Sequence, residues 1–163
     1  MRQVFIVLLS FTLISCSSRF LEKDYDVNKT QEATVGSSII SWSIGTDGGG
    51  PKTGVKKELV YSGVSQNVLQ FSYREYNIEP DGTFARPAFY QDLKYDVPSD
   101  NIINFKDLSL SVHSFSGQKI VYSIIKEPEE VKNFKPSSGL SVVGYSLIIV
   151  AGSLTLLILL LSR

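Results

Sequence analysis

The feature that most constrains the fold is an apolar period of two in the middle of the chain. Residues 69–74, 108–113 and 120–125 each place apolar or aromatic side chains at alternate positions. This spacing puts every second side chain on one face of an extended strand, which is typical of a half-buried β-sheet. Runs rich in Gly, Pro, Ser and Asp separate these segments and favour turns. We therefore predict a mainly β domain over residues 35–126, a small antiparallel β-sandwich or barrel.

Four further segments have strand-like composition, namely residues 37–44, 57–61, 88–95 and 102–105. No amphipathic helix or internal repeat stands out among them. Cys16 is the only cysteine, so no structural disulfide is expected in the domain. Its stability must therefore come from a hydrophobic core.

The chain begins with a pattern typical of an exported bacterial lipoprotein. Met1-Arg2 is followed by an apolar run, and Leu-Ile-Ser precedes Cys16. The run is too short for a comfortable membrane span but has the length of a signal-peptide core. The pattern resembles a lipobox, in which Cys16 is acylated and becomes the first mature residue. We predict a signal peptide over residues 1–15 and a lipid-anchored tether over residues 16–34. The alternative is an uncleaved anchor with an incidental cysteine.

A second membrane signal lies at the other end of the chain. Residues 140–161 are almost wholly apolar and carry no charge. As a helix they would span about 33 Å, enough for a bilayer core. We predict a charged linker over residues 127–139 and a transmembrane helix over residues 140–161; a buried element of the domain is the alternative. Ser17 resembles a signal for the outer membrane, but the C-terminal helix favours the inner membrane.

The predicted transmembrane helix has a stripe of mostly small residues. Ser141, Gly144, Ala151 and Thr155, with Ile148 among them, recur at heptad spacing. Such a stripe lets helices approach closely in lipid, either in self-association or against another membrane protein. Small residues are also common in spanning helices, and no strict G-x-x-x-G occurs. The sequence therefore leaves two interpretations of these residues: a helix-packing face, or the ordinary composition of a spanning helix.

Charge and composition argue against several classes of function. The chain has 16 basic and 16 acidic residues and no strongly basic patch, so we expect no nucleic-acid partner. The glycine-rich run at residues 46–54 departs from a phosphate loop because Pro51 separates Gly50 from Lys52. His113 is the only histidine, and its alternation places it on the solvated face. We expect no metal, no cofactor and no catalytic site.

Charges of both signs lie among the strand-like segments. They are Arg74, Glu75, Arg86, Asp92 and Asp96. In one interpretation they form an arginine–carboxylate network that fixes strand register. In the other they form a recognition patch with neighbouring aromatic residues, namely Tyr73, Tyr76, Phe89, Tyr90 and Tyr95. The acidic residues Glu127, Glu129 and Glu130 are interpreted as a solvated linker face.

Three sequence runs carry a resemblance to a known family. Residues 58–63 read ELVYSG, residues 71–76 read FSYREY, and residues 85–96 read ARPAFYQDLKYD. The chain is similar here to a family of small, uncharacterised bacterial lipoproteins with an E-L-x-Y-S-G, Y-R-E and A-R-P-A-F-x-Q-D-L-x-Y-D signature. The similarity extends over about residues 35–125. It implies a small β domain on a lipid anchor and no assigned activity; a C-terminal membrane span departs from the family pattern.

These features lead to three hypotheses about function. The first is a non-enzymatic lipoprotein of the bacterial cell envelope, with its domain outside the cytoplasm, that binds an envelope protein or polymer. The second is an accessory subunit that docks into a membrane complex through its C-terminal helix. The third is an envelope enzyme, which would need convergent titratable groups that the sequence does not single out. In each case acylated Cys16 and the C-terminal helix would contact membrane lipid.

Overall fold

The computed structural model describes residues 18–48, 50–96 and 101–137, and these fold into two antiparallel sheets. The six-stranded sheet has the order β1-β3-β4-β5-β6, and β7 also pairs with β5. Its strands are β1 (Ser18–Lys23), β3 (Ser38–Asp47), β4 (Thr53–Ser65), β5 (Val68–Glu79), β6 (Gly82–Ala85) and β7 (Gln91–Asp96). The four-stranded sheet has the order β2-β10-β9-β8. Its strands are β2 (Thr30–Thr34), β8 (Ile102–Phe105), β9 (Leu108–Phe115) and β10 (Lys119–Lys126). A 3-10 helix at Pro87–Phe89 and the helix α1 (Glu129–Lys132) complete the described elements.

The two sheets share one hydrophobic core, so the prediction of a mainly β, antiparallel domain is confirmed. Tyr61 and Phe71 of the larger sheet belong to the same buried cluster as Leu110, Ile120 and Ile124 of the smaller one. Each of these side chains is at most 1% exposed. Burying a large apolar side chain contributes roughly 1.5–3 kcal/mol, so this cluster is a main source of the domain's stability. The arrangement is consistent with a β-sandwich.

The central strands lie close to their predicted positions, but one segment differs. Strand β8 has the predicted bounds, whereas β4 extends well beyond residues 57–61 in both directions. Residues 88–95 were predicted as one strand. Instead the 3-10 helix precedes β7, because Pro87 cannot donate to a ladder and the Tyr90 amide closes a turn on the Pro87 carbonyl. The turn places Phe89 and Tyr90 at the sheet surface.

Residues 18–34 were expected to form a tether, and the structure instead places two strands there. Strand β1 pairs with β3 from Ser18 opposite Asp47 to Lys23 opposite Trp42. Strand β2 pairs with β10 and buries Ala33. Both are edge strands with few buried side chains, so their sequences lack the clear alternation that marks a central strand.

Residues 127–137 were expected to belong to a charged linker, and they instead lie against the domain. Pro128 is fully buried and Val131 is 5% exposed. The backbone amide of Glu129 donates a 2.6 Å hydrogen bond to Asp107 Oδ2. We call residues 127–131 the C-terminal latch.

Several predictions fall outside the described residues. These are the signal peptide at residues 1–15, the acylation of Cys16, the transmembrane helix at residues 140–161, and the packing face formed by Ser141, Gly144, Ala151 and Thr155. No helix within residues 18–48, 50–96 and 101–137 combines the length and apolar character needed to cross a bilayer.

Candidate functional site

A row of polar and aromatic residues crosses the core-facing side of the larger sheet. Trp42 of β3 lies opposite Lys57 of β4, and Lys57 lies opposite Glu75 of β5. Because strand side chains alternate, Lys57 shares its face with Leu59, and Glu75 shares its face with Tyr73. Charged residues therefore occupy the same face as the hydrophobic core, where unpaired charges are costly.

The C-terminal latch supplies the carboxylate that pairs with Lys57. Glu130 Oε1 accepts hydrogen bonds of 2.7 Å from Trp42 Nε1 and 2.7 Å from Lys57 Nζ, and Oε2 lies 2.9 Å from the same ammonium. The Lys57 side chain is 24% exposed and that of Glu130 is 41% exposed. The carboxylate thus lies at the mouth of a recess whose floor is Trp42.

A second carboxylate lies deeper, at the side of this recess. Glu75 is 7% exposed, accepts a 2.6 Å hydrogen bond from the Tyr73 hydroxyl, and forms a 2.9 Å ion pair with Arg86. Burial, together with the neighbouring Glu75 carboxylate, raises the pKa of Tyr73 well above its ordinary value. The Tyr73 hydroxyl is therefore a stable donor at neutral pH. Arg86 also lies over the Phe89 ring, 4.0 Å from its centroid.

The turn between β8 and β9 forms the opposite wall. Lys106 Nζ lies 4.0 Å from the centroid of the Tyr73 ring and 5.4 Å from that of Phe105. Asp107 follows it and holds the amide of Glu129. We call the space between these walls the Trp42 recess. It comprises two cavities that share Trp42, Lys57 and Glu130. Lys106 and Asp107 line one of them, and Glu75 and Arg86 line the other.

The predicted charge network does not converge at one place. Glu75 and Arg86 meet in the recess, but Arg74 faces the other side of the sheet. There its guanidinium lies 3.9 Å from Glu58. Asp92 accepts a 3.0 Å hydrogen bond from Ser72, and Asp96 lies opposite Val68 at the end of β7.

The aromatic residues proposed for a recognition patch are also dispersed. Tyr73 is 3% exposed and belongs to the core, whereas Phe89 and Tyr90 are about half exposed, at 45% and 51%. Tyr76 donates a 2.7 Å hydrogen bond to Glu58. The Tyr95 ring packs against Phe71. Tyr73 and Tyr95 therefore pack with the core, Tyr76 belongs to an ion-pair cluster, and Phe89 and Tyr90 lie at the surface.

His113 is exposed on β9, as its alternation predicted, and its Nε2 lies 2.8 Å from Ser123 Oγ. Among the residues that the structure describes, no group of three His, Cys, Asp or Glu side chains is placed to hold a metal ion. The glycine-rich run lies at the connection from β3 to β4.

Sequence reasoning missed the central residues of the recess. Lys57 carried a usable signal, because it lies in phase with Val55 and Leu59 on the apolar face of its strand. A lysine in that phase needs a partner. That partner, Glu130, was interpreted as a solvated linker residue, since nothing in its local sequence indicates a contact with a residue 73 positions away.

Comparisons with protein-family models, with curated proteins and with solved structures found no match to this chain. The resemblance to the lipoprotein family therefore stays a prediction. The geometry of the domain and the two apolar ends of the sequence are the observations that bear on function.

Proposed function

We propose that the chain is a membrane-anchored lipoprotein of the bacterial cell envelope. Its β domain would have a non-enzymatic binding or structural role at the membrane surface. One contact carries the membrane part of the proposal. The backbone amide of Arg19 donates a 2.8 Å hydrogen bond to Ser137 Oγ.

This contact brings the two ends of the described domain together. Arg19 also lies over the Phe134 ring, 5.2 Å from its centroid. Arg19 follows Cys16 by three residues, and Ser137 precedes Leu140 by three. Three residues span at most about 11 Å. Both predicted anchors therefore depart from one edge of the domain and can enter the same membrane.

Double attachment at one edge supports a role close to the membrane surface. Strand β1 begins at Ser18, two residues after the predicted acylation site, which leaves almost no free tether. A lipid-modified cysteine combined with a spanning helix holds a protein far more firmly than a single acyl chain. The domain would thus work on partners within a short distance of the lipid.

The pairing of charges in the Trp42 recess supports binding rather than catalysis. Lys57 is paired with Glu130, and Arg86 is paired with Glu75. An acid–base or nucleophilic site would instead direct such groups at a reacting atom. The recess has the aromatic and charged lining of a recognition site.

Acylation of Cys16 is the first test of this proposal. The full chain and Cys16→Ser are expressed with a clickable palmitate analogue, and the intact mass of each is determined. We expect the label and the loss of residues 1–15 in the unsubstituted chain, and neither in Cys16→Ser. An unlabelled chain of full length would overturn the lipoprotein proposal.

The orientation of the domain needs a separate measurement. Once Cys16 is acylated, a cysteine introduced by His113→Cys is the one free thiol, since the sequence has a single cysteine. Intact cells, or spheroplasts if an outer membrane is present, are treated with a membrane-impermeant maleimide. We expect His113→Cys to be labelled, and the matched control Arg163→Cys to be labelled only after permeabilisation. The reverse pattern would place the domain in the cytoplasm and contradict the proposal.

A further inference from the structure

We propose that the Trp42 recess is a binding site for an acidic peptide and that the C-terminal latch occupies it in cis. The ligand would present a carboxylate to Trp42 and Lys57 and apolar side chains beside it. This inference rests on the binding role proposed above and not on the lipid anchor.

Two donors of the sheet converge on one carboxylate, that of Glu130. Trp42 Nε1 and Lys57 Nζ belong to neighbouring strands, and both lie 2.7 Å from Glu130 Oε1. Trp42 is 6% exposed, so its indole N–H is held in place by the core. Hydrogen bonds to an ionised carboxylate are roughly twice as strong as neutral ones. The sheet thus presents a fixed carboxylate receptor, and Glu130 is the group it holds.

The residues on either side of Glu130 make apolar contacts. Pro128 is fully buried and Val131 is 5% exposed, whereas the Glu129 side chain is 62% exposed and lies 3.7 Å from Lys126 Nζ. The seated sequence is therefore an acidic residue between two apolar anchors, Pro-Glu-Glu-Val. A small carboxylate would satisfy the donors but would leave both apolar positions unfilled. The contacts fit a short peptide in a single helical turn.

The latch has little stability of its own. Helix α1 has four residues, far fewer than the 12–15 or so that an isolated helix needs in water. It is held by side-chain contacts with the recess, by the hydrogen bond from the Glu129 amide to Asp107, and by the 2.9 Å ion pair of the preceding Glu127 with Lys23. A segment held by such contacts can exchange with a competing peptide, whose apparent affinity is the intrinsic affinity multiplied by the fraction of open protein.

The recess keeps an excess of positive charge when the latch leaves. Without Glu130, three cations of the recess, Lys57, Arg86 and Lys106, face two carboxylates, those of Glu75 and Asp107. Lys57 is then without its ion-pair partner beside the Trp42 ring, which its Nζ approaches to 6.0 Å from the centroid. A partly buried ammonium favours a replacement anion. The open recess would therefore select peptides that carry a carboxylate.

The test uses the full chain in detergent and a fluorescent peptide with the sequence of residues 126–134, KEPEEVKNF. The latch is disabled by the double substitution Glu130→Gln/Val131→Ser. We expect this variant to bind the peptide at least about tenfold more tightly than the unsubstituted chain. Glu129→Gln is the matched control on the same helix and should keep the weak binding. Trp42 is the only tryptophan, so its emission gives a second readout of the site.

Two changes test the carboxylate itself. A peptide with Gln in place of its third Glu, the equivalent of Glu130, should lose about tenfold or more in affinity for the disabled variant. Adding Lys57→Met should produce a similar loss, with the melting temperature measured to verify folding. The peptide comparison needs no further change in the protein, so it decides the question even if Lys57→Met fails to fold.

Three results would overturn the inference. The first is equal binding of the peptide by the disabled variant and the unsubstituted chain. The second is equal binding of the Glu and Gln peptides. The third is displacement of the peptide by N-acetylglutamate amide at concentrations similar to those of the peptide, which would assign the site to small carboxylates. None of these results depends on Cys16, so failure here and failure of the anchoring proposal are distinguishable.

Discussion

The hydroxyl of Tyr122 donates a 2.6 Å hydrogen bond to the backbone carbonyl of Ile39, and the bond joins strands of the two sheets. Tyr122 lies in β10 and is 3% exposed. Ile39 lies where the register between β3 and β4 shifts, between Ser38 and Ile40. A bulge leaves its extra residue unpaired in the ladder, which accounts for a backbone carbonyl that is free to accept from the opposite sheet.

Replacing Tyr122 by Phe should therefore destabilise the domain by about 1–3 kcal/mol. The change keeps the ring but removes the donor, and a buried acceptor left without a partner costs free energy of that order. The free energy of unfolding is measured by urea denaturation. Tyr90→Phe is the control, because Tyr90 is 51% exposed. Equal losses in the two variants would contradict a structural role for the bond to Ile39.

The same tyrosine predicts how stability depends on alkaline pH. Burial, and to a smaller extent the charge of Asp24, raises the pKa of Tyr122 from 10.0 to about 12. Between these values the unfolded chain loses the phenolic proton while the folded chain keeps it, so stability falls as pH rises. The stabilising contribution is complete below pH 10 and disappears as pH passes about 12.

This pH effect is measured as a difference between two proteins. Tyr122→Phe removes the titrating group, so its stability should decrease less steeply between pH 10 and 12 than that of the unsubstituted chain. One such group contributes a slope of up to about 1.4 kcal/mol per pH unit. Urea denaturation at a series of pH values gives both slopes. A gap between the two proteins that stays constant over this range would contradict the assignment.

The ion pair of Glu75 and Arg86 should contribute more to the free energy of unfolding than an exposed pair does. Arg86→Met leaves a carboxylate that is 7% exposed with the Tyr73 hydroxyl as a donor and without its cation. Because the Arg86 side chain is itself 29% exposed, we expect a loss of about 1–3 kcal/mol, below the range for a fully buried pair. Adding Glu75→Gln should restore part of that loss, because no buried charge then remains.

The control for this pair is Lys119→Met. Lys119 and Glu32 are 3.0 Å apart, and both side chains are more than half exposed, at 54% and 53%. Breaking such a pair costs about 0–1 kcal/mol. Denaturation of both variants under the same conditions tests the comparison. If Arg86→Met lowers the free energy of unfolding no more than Lys119→Met does, the pair of Glu75 and Arg86 does not contribute to stability in the way proposed.

Strands with an alternating apolar pattern could be predicted from the sequence, whereas the edge strands β1, β2 and β6, which bury few side chains or none, could not. In β9, Leu108, Leu110 and Val112 are buried at every second position, and the alternation is visible directly. Strand β6 has no buried residue, so its sequence carries no such pattern. Strand β1 is mostly polar for the same reason, and this polar, charged composition was interpreted as a tether.

The candidate site could not be predicted from the sequence for a different reason. Its central contact joins Lys57 and Glu130, which are 73 positions apart. A local pattern identifies Lys57 as a charged residue on an apolar face. It does not identify the residue that pairs with Lys57. The arginine–carboxylate pair of Glu75 and Arg86 could be predicted from the sequence, because a short hairpin brings these residues together. Long-range pairing depends on topology, which periodicity does not specify.

Two glycines that face each other beside strand β1 lead to the last prediction. Gly45 of β3 lies opposite Gly54 of β4, and a Cβ added to Gly45 would overlap the backbone carbonyl oxygen of Thr53 and lie 2.8 Å from the Phe20 ring. Gly45→Ala should therefore cost about 1–3 kcal/mol. Gly50→Ala, with no atom within 4 Å of its added Cβ, should change stability by less than about 0.5 kcal/mol. Because Phe20 belongs to β1, hydrogen exchange in β1 should also accelerate in Gly45→Ala. If neither the exchange in β1 nor the stability changes, the strands adjust to the added methyl group at no measurable cost in free energy. That result would contradict the prediction.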